Sequence, residues 1–329
     1  MEHAELVCAY RLDGTGRGQR IEWDEMISWV PGKDLIWIHL DGTHAGTEAW
    51  FRTHSGLNTF NIDGMLASET RPRCTWHEDG IQLNLRGVNL NPGAVPEDLV
   101  SIRIWIEKNR VISLKHRKLL AINDIREQLE SGKGPISTGH LVARLASRLT
   151  DRMGPVIAEV SDKIAELEEI LIEDDTDKQA NLRDVRHELV GFRRSTISLR
   201  RYIAPQRDAL HKLVEMDHDW FDENMLGRLR ETVDQVTRIT ESLDEIRERS
   251  AVVQDELMNR ISQRMERTMY VLTMVATIML PLGFLTGLLG INVGGIPGAE
   301  VNWAFWAVCG GLAVVVVVEY WLFKRLKWL

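Results

Sequence analysis

Cysteine is scarce in this 329-residue chain. Cys8, Cys74 and Cys309 are too few and too scattered for a disulfide framework. Basic charge is also in deficit: 40 Lys and Arg stand against 48 Asp and Glu, a formal net charge of -8. A chain that lives on nucleic-acid phosphates needs a cationic face, so that class of partner is excluded. Catalytic signatures are missing as well, with no Walker A sequence, no GxSxG and no HExxH, and no enzyme is expected. The run Gly14-Thr15-Gly16-Arg17-Gly18 lacks the last glycine of a GxGxxG fingerprint and reads as a hairpin turn. No CxxC or HxxxH pair offers a closed zinc site, and no cofactor is expected. The weak metal candidates are His39 with His44, Cys74 with His77, His54, His211 with His218, and Asp217 beside His218; isolated imidazoles and thiols are more often packing or surface residues.

What the chain does have is two long apolar runs near its C-terminus. Tyr270 to Leu289 is 20 residues without a charge, and at the helical rise this covers about 30 Å, the thickness of a bilayer's hydrocarbon core. Trp303 to Phe323 is a second run of 21 residues whose one charge, Glu319, lies near its end. Arg260, Arg264 and Arg267 precede the first run and Lys324, Arg325 and Lys327 follow the second, whereas the segment between them has no Lys or Arg and carries Glu300. The positive-inside rule then puts both termini in the cytosol, with Trp303, Trp306, Trp321 and Trp328 as interfacial anchors. The acidic, polar start shows no signal-peptide pattern.

The expected fold is an α+β N-terminal domain, then long coiled-coil-like helices, then a two-helix transmembrane hairpin. The boundaries are 1–135 for the first domain, 136–268 for the helical stalk, 269–289 and 303–323 for the spans, 290–302 for the loop and 324–329 for a cytoplasmic tail. Strands are expected at Glu5–Leu12, Leu35–Leu40, Ile81–Arg86, Leu99–Ile106 and Val111–Lys115, the last two as a hairpin turning at Glu107–Arg110. Thr47–His54 and Asn58–Ser68 read as helices over the sheet, and 131–139 (SGKGPISTG) as a linker. Helices follow at Leu141–Asp174, Lys178–Val214 and Phe221–Leu289. In the last, Leu229, Val233, Val236, Thr240, Leu243, Ile246, Ser250, Val253 and Leu257 recur in steps of three and four, and the seam continues through Ile261, Met265, Met269 and Leu272, making one helix about 100 Å long.

Charge divides unevenly between these parts. Residues 266–329 carry four basic and three acidic residues, a net of +1, so the preceding 265 residues hold -9. Acidic walls around a shared axis would concentrate cations; ordinary solubility charge explains the same figure. Ala276, Leu280, Gly283 and Gly287 continue the seam into the first span, where small residues either admit a second helix or leave a lumen. Gly290-Ile291-Asn292 and the glycines that follow permit a helix stop that presents amide and carbonyl oxygens suited to a hydrated divalent cation, or simply a flexible turn.

The Gly290-Ile291-Asn292 sequence closing the first of two C-terminal spans, after a long helix, resembles the CorA family of divalent-cation transporters, its two-span GxN group. ETRPR at 69–73, RRYIAPQRD at 200–208 and the pore-helix-like VLTMVATIMLPLGFLTGLLGIN with Pro281 extend the likeness over nearly the whole chain. The loop Val293-Gly294-Gly295-Ile296-Pro297-Gly298 and the terminal Lys327-Trp328-Leu329 look most like the zinc-transporting ZntB branch, whereas the magnesium branch has GMN, an aromatic residue and an acidic loop.

The resemblance implies a funnel-shaped homopentamer in the bacterial inner membrane, carrying Zn2+, with Ni2+, Co2+, Cd2+ or Mg2+ as alternatives. Asn292 would form the outer filter ring with Gly290 and Ile291, and Met269, Leu272, Ala276, Leu280, Gly283 and Gly287 would line the pore. Asp255 and Glu300 would be acidic groups at its two mouths, and transport would be proton-coupled uptake, with efflux, a magnesium channel or a scaffold without transport as the other readings.

Overall fold

The computed structural model describes residues 3–30, 32, 34–68, 70–172, 182–216, 220–291, 298 and 301–325. It divides into two compact units, Met1–Gln254 and Asp255–Leu329.

The first unit is built on seven strands: β1 (Leu6–Leu12), β2 (Gly18–Arg20), β3 (Leu35–Asp41), β4 (Arg73–His77), β5 (Gly80–Gly87), β6 (Val100–Ile106) and β7 (Arg110–Lys115). Their order is β2-β1-β3-β7-β6-β5-β4, and only β3 and β7 run parallel. Strands with nearly every residue buried, such as β3 (LIWIHLD) and β6 (VSIRIWI), occupy the middle of the sheet, as apolar β-branched runs do when both faces are covered. The 14–18 loop is the turn between β1 and β2, closed by the Asp13 amide donating to the Arg17 carbonyl and by Asp13 accepting from Thr15. The β6–β7 hairpin turns at Glu107–Arg110 as expected.

Helices cover both faces. On one, α2 (Ala45–His54) and α3 (Thr59–Leu66), preceded in the chain by the short α1 (Trp23–Ile27), deliver Trp50, Phe51, Ile62 and Met65 onto Ile38, Leu40, Ile112 and Leu114. On the other, the Tyr10 hydroxyl donates to Glu130 of α4 (Leu120–Glu130), and α5 (Thr138–Asp151) lays Leu149 so tightly on Gly87 that a Cβ there would sit 2.7 Å from its Cδ2. Thirteen buried hydrophobic side chains form the core cluster on the α2–α3 face; at about 1.5–3 kcal/mol each, this burial is the main term favouring the fold.

Two expectations need correction. The segment 131–139 is held rather than free: the Gly134 amide donates to the Gly16 carbonyl at 2.7 Å, Ser137 caps α5, and Gly139 leaves no room for a side chain beside Met225. The helix expected over Leu141–Asp174 is two helices, α5 and α6 (Met153–Ile172). Arg152 ends α5 with both guanidinium nitrogens on Asp124, and Gly154-Pro155 falls in the first turn of α6, where a missing amide costs little.

Then come α7 (Leu182–Glu215), with Pro205 inside it, and α8 (Glu223–Leu289), one helix of 67 residues. α9 (Ala304–Arg325) ends the described chain. Within the first unit, α7 packs on β4 and β5, and α8 buries Met225, Leu229, Val236, Leu243, Ile246 and Val253. Arg200 of α7 grips Asp244 of α8, and Arg249 of α8 donates to Glu168 of α6. Arg200 thus ties α7 to α8.

Candidate ion pathway

In the second unit α8 changes character. Up to Leu257 a buried residue recurs every three or four positions; from Met258 to Leu289 none is buried. This part of α8 and all of α9 are long and apolar enough to cross a membrane. Exposure along the α8 span is nonetheless uneven. Met274, Thr277, Ile278, Leu282 and Leu285 are half-shielded, and Ala304, Val308, Leu312, Val315, Glu319 and Phe323 make the matching stripe along α9. These are the facing sides of the hairpin.

Met269, Leu272, Ala276, Leu280, Gly283 and Gly287 are all exposed, Leu280 at 71%. At 100° per residue the six fall within roughly 80° of the helix surface, on the side opposite the α9-facing stripe. A Cβ added at Gly283 or Gly287 would meet nothing within 4 Å among the described residues, so none of them requires glycine at either position. Polar hydroxyls do not break the helix: Thr277 donates back to the Thr273 carbonyl and Thr286 to Leu282.

The helix stops where glycine frees the backbone. The Gly290 amide is shared between the carbonyls of Thr286 at 3.0 Å and Gly287 at 3.2 Å, and Ile291 follows as a bend. On the far side Gly298, at φ +86, accepts from the Val301 amide and leads into α9. Asn292 and Glu300, and likewise Asp217 and His218, lie outside the described residues. Asp255 is exposed on α8 at the start of the second unit.

The metal candidates of the first unit are dispersed. His39 is fully buried on β3; its Nδ1 lies 2.8 Å from Ser113 Oγ, a hydroxyl that also accepts from Trp37 Nε1. Burial and the nearby Lys115 charge hold its pKa down at about 3, so the ring is neutral. Cys74 and His77 share β4, but a spacing of three sends them to opposite faces; burial pushes the Cys74 thiol up to about 12 while His77 packs beside Trp105. His44 is not paired with His39: it precedes α2 and faces Glu5 at 3.9 Å. His54 lies 2.6 Å from its neighbour Thr53 Oγ1, and His211 is 3.4 Å from Glu215.

Arg86 was not picked out by motif, yet it joins two of the landmark segments. Its guanidinium donates to the Thr70 carbonyl and lies 3.9 Å over the Tyr202 ring, while its amide donates to Gln206. A lone arginine in a strand carries no local signal of such a role. Arg103 is the second example: fully buried, it donates to the Ala67 and Ser68 carbonyls and contacts His116, and burial beside Arg86 lowers its pKa to about 10.

An α/β and helical body followed along the chain by two helices long and apolar enough to cross a membrane defines the class of membrane-anchored proteins with a large soluble domain. The chain belongs to the CorA family: a family model described as CorA-like Mg2+ transporter protein matches residues 32–325. It is 41% identical over 327 residues to the divalent cation transporter CmaX of Pseudomonas aeruginosa, covering 98% of this chain and 97% of that protein. To the zinc transport protein ZntB of Yersinia enterocolitica it is 34% identical, covering 100% and 98%. The solved structure of full-length CmaX aligns with a TM-score of 0.84 at 39% identity, over 100% of this chain and 99% of that one. Membership of a transporter family, rather than any missing motif, answers the question of enzyme activity: the chain is not an enzyme.

Proposed function

We propose that the chain is a homopentameric zinc transporter of the bacterial inner membrane, with both termini cytoplasmic, in which five copies of the α8 span surround the ion path. The observation that carries this reading is the stripe from Met269 to Gly287. It is uncharged, lined by small residues toward its outer end, and turned away from the hairpin's own partner helix. A single hairpin cannot enclose a path, so an ion path along this face requires symmetric copies around it. Asn292 would close the path with a ring of amide oxygens, which exchange with outer-shell water and hold the ion loosely enough to release it.

Zinc is favoured by the GIN-Val-Gly-Gly loop and by the ZntB relatives, which are named as zinc transport proteins. With no ATPase motif, the driving force is the ion gradient, the membrane potential or a proton, and uptake driven by a proton gradient is the reading adopted. The α8 span from Tyr270 to Leu289 contains no carboxylate or imidazole, so protons would be exchanged at the mouths, at Glu300 or Asp255. The segments 1–135, 136–268, 269–289, 290–302, 303–323 and 324–329 are the corresponding functional divisions.

Flux in proteoliposomes tests this reading. Asn292→Ala should abolish Zn2+ flux while crosslinking still yields a pentamer; undiminished flux removes the filter role. Glu300→Gln should flatten the pH dependence of flux, and an unchanged profile rules out the outer mouth. The second reading, a Mg2+, Co2+ or Ni2+ channel, is favoured by the family description, and Mg2+ outcompeting Zn2+ for flux would establish it.

A further inference from the structure

One carboxylate at the N-terminal corner of the first unit draws in side chains from two places in the chain. His3 Nδ1 lies 3.3 Å from Glu5 Oε1, and His44 Nδ1 lies 3.9 Å from Glu5 Oε2, so two imidazoles flank one carboxylate, one at each oxygen. Each has a different degree of freedom. Glu5 is 13% exposed and packed against Gly46, where a Cβ would stand 3.0 Å from its carboxyl carbon. Its carbonyl also accepts from the Asp41 amide, fixing the backbone beside β3. The His3 ring is stacked flat on Trp23 with centroids 4.0 Å apart. His44 is about half exposed and makes no side-chain cap to α2, so it is free to turn.

We propose that His3, Glu5 and His44 form a binding site for a divalent transition-metal ion. Two imidazoles and a carboxylate are the donor set that zinc takes when water fills its fourth position. With bonds of about 2.1 Å, neighbouring donors of a tetrahedral site stand about 3.4 Å apart. The His3–Glu5 spacing meets that edge at Oε1, whereas His44 stands 3.9 Å from the other oxygen, Oε2, and its exposed ring must turn toward the His3 side for the three donors to share one ion. As they stand the three side chains do not make a metal-holding group, and no such group exists among the described residues, so the site forms only when the exposed His44 ring turns inward.

Nitrogen donors select Zn2+, Co2+ or Ni2+ over Mg2+, which takes an octahedral shell of oxygens. The site would therefore report on the transported class of ion at a point in the body separate from the α8 stripe. It rests on these three residues alone and stands or falls independently of the pore assignment.

The competing account is purely structural: a carboxylate near the start of α2 favoured by the helix dipole, with two histidines as its ion-pair partners. Titration of the full-length protein in detergent with Co2+ and Zn2+ separates the two. The site predicts that wild type binds one more Co2+ per chain than the His3→Ala/His44→Ala variant, with the visible absorption of a nitrogen-ligated, four-coordinate ion lost in that variant. Zn2+ should displace this ion, and a hundredfold excess of Mg2+ should not. Glu5→Gln, which keeps the packing against Gly46, should weaken this binding by about tenfold or more. Equal stoichiometry and unchanged Co2+ absorption in both variants, or displacement by Mg2+, overturns the site.

Discussion

One helix passes through both units, and its two parts solve different problems. Between Glu223 and Leu257, α8 hides an apolar stripe against its own chain and keeps charge on the remaining faces. Between Met258 and Leu289 it hides nothing completely, and its last 20 residues carry no charge at all. In water the second part would be a liability, because large apolar surface left uncovered drives association. Its sequence is therefore written for a membrane rather than for water, and the fold of one chain covers only the first part.

The largest effect expected from that contrast is on stability. Leu243 is 0% exposed and Leu280 is 71% exposed, although both are leucines on the same helix. Leu243→Ala should destabilise by about 2–5 kcal/mol, the cost of a core cavity, read as a lower thermal midpoint. Leu280→Ala should change stability by less than about 0.5 kcal/mol and yet alter ion flux. Equal destabilisation by the two would break the distinction between a self-packed stalk and an open face.

A buried polar group sharpens the comparison from the other side. The first unit admits His39 to its interior only as a neutral ring beside Ser113. Its folded pKa is about 3 against an unfolded value near 6.5, so the unfolded chain binds the extra proton between those limits. This contribution to stability is complete above pH 6.5 and falls as pH drops, by up to about 1.4 kcal/mol per pH unit. His39→Asn keeps an acceptor toward Ser113 and should remove that part of the slope, as seen by unfolding at pH 7 and pH 5. An identical slope would show that His39 is not held neutral by burial.

Much of this division is visible in the residues alone, for physical reasons. The two apolar runs, the five longer strands and the continuity of α8 follow from period and composition, which are local properties. The break at Arg152 was missed because the helical period of Leu145, Leu149, Val156 and Val160 persists across it, although Gly154-Pro155 marks it. The strands β2 and β4 carry little apolar pattern, being mostly exposed along their length. Side-chain sites were the least legible. His44 meets Glu5 rather than His39, and Arg86 joins Thr70 to Tyr202, because those approaches depend on how strands and helices dock. No spacing in the sequence encodes them.

The smallest effect concerns the ties near the end of the first unit. Arg249 Nε donates to Glu168 Oε1 at 3.0 Å, linking α8 to α6 a few residues before Gln254. The hydrogen bond from Arg249 lowers the Glu168 pKa, so its stabilisation is present above the usual glutamate range near pH 4.3 and is lost as pH falls through the depressed value. Both side chains are about a third exposed, and solvent screening keeps such a pair to about 0.2–1 kcal/mol. A double-mutant cycle with Arg249→Met and Glu168→Gln should return a coupling in that range at pH 7 and a progressively smaller one as pH is taken below the usual glutamate range. A coupling of several kcal/mol would mean that the stalk is held by ion pairs as much as by the buried stripe, and the contrast between the two parts of α8 would then be one of charge rather than of burial.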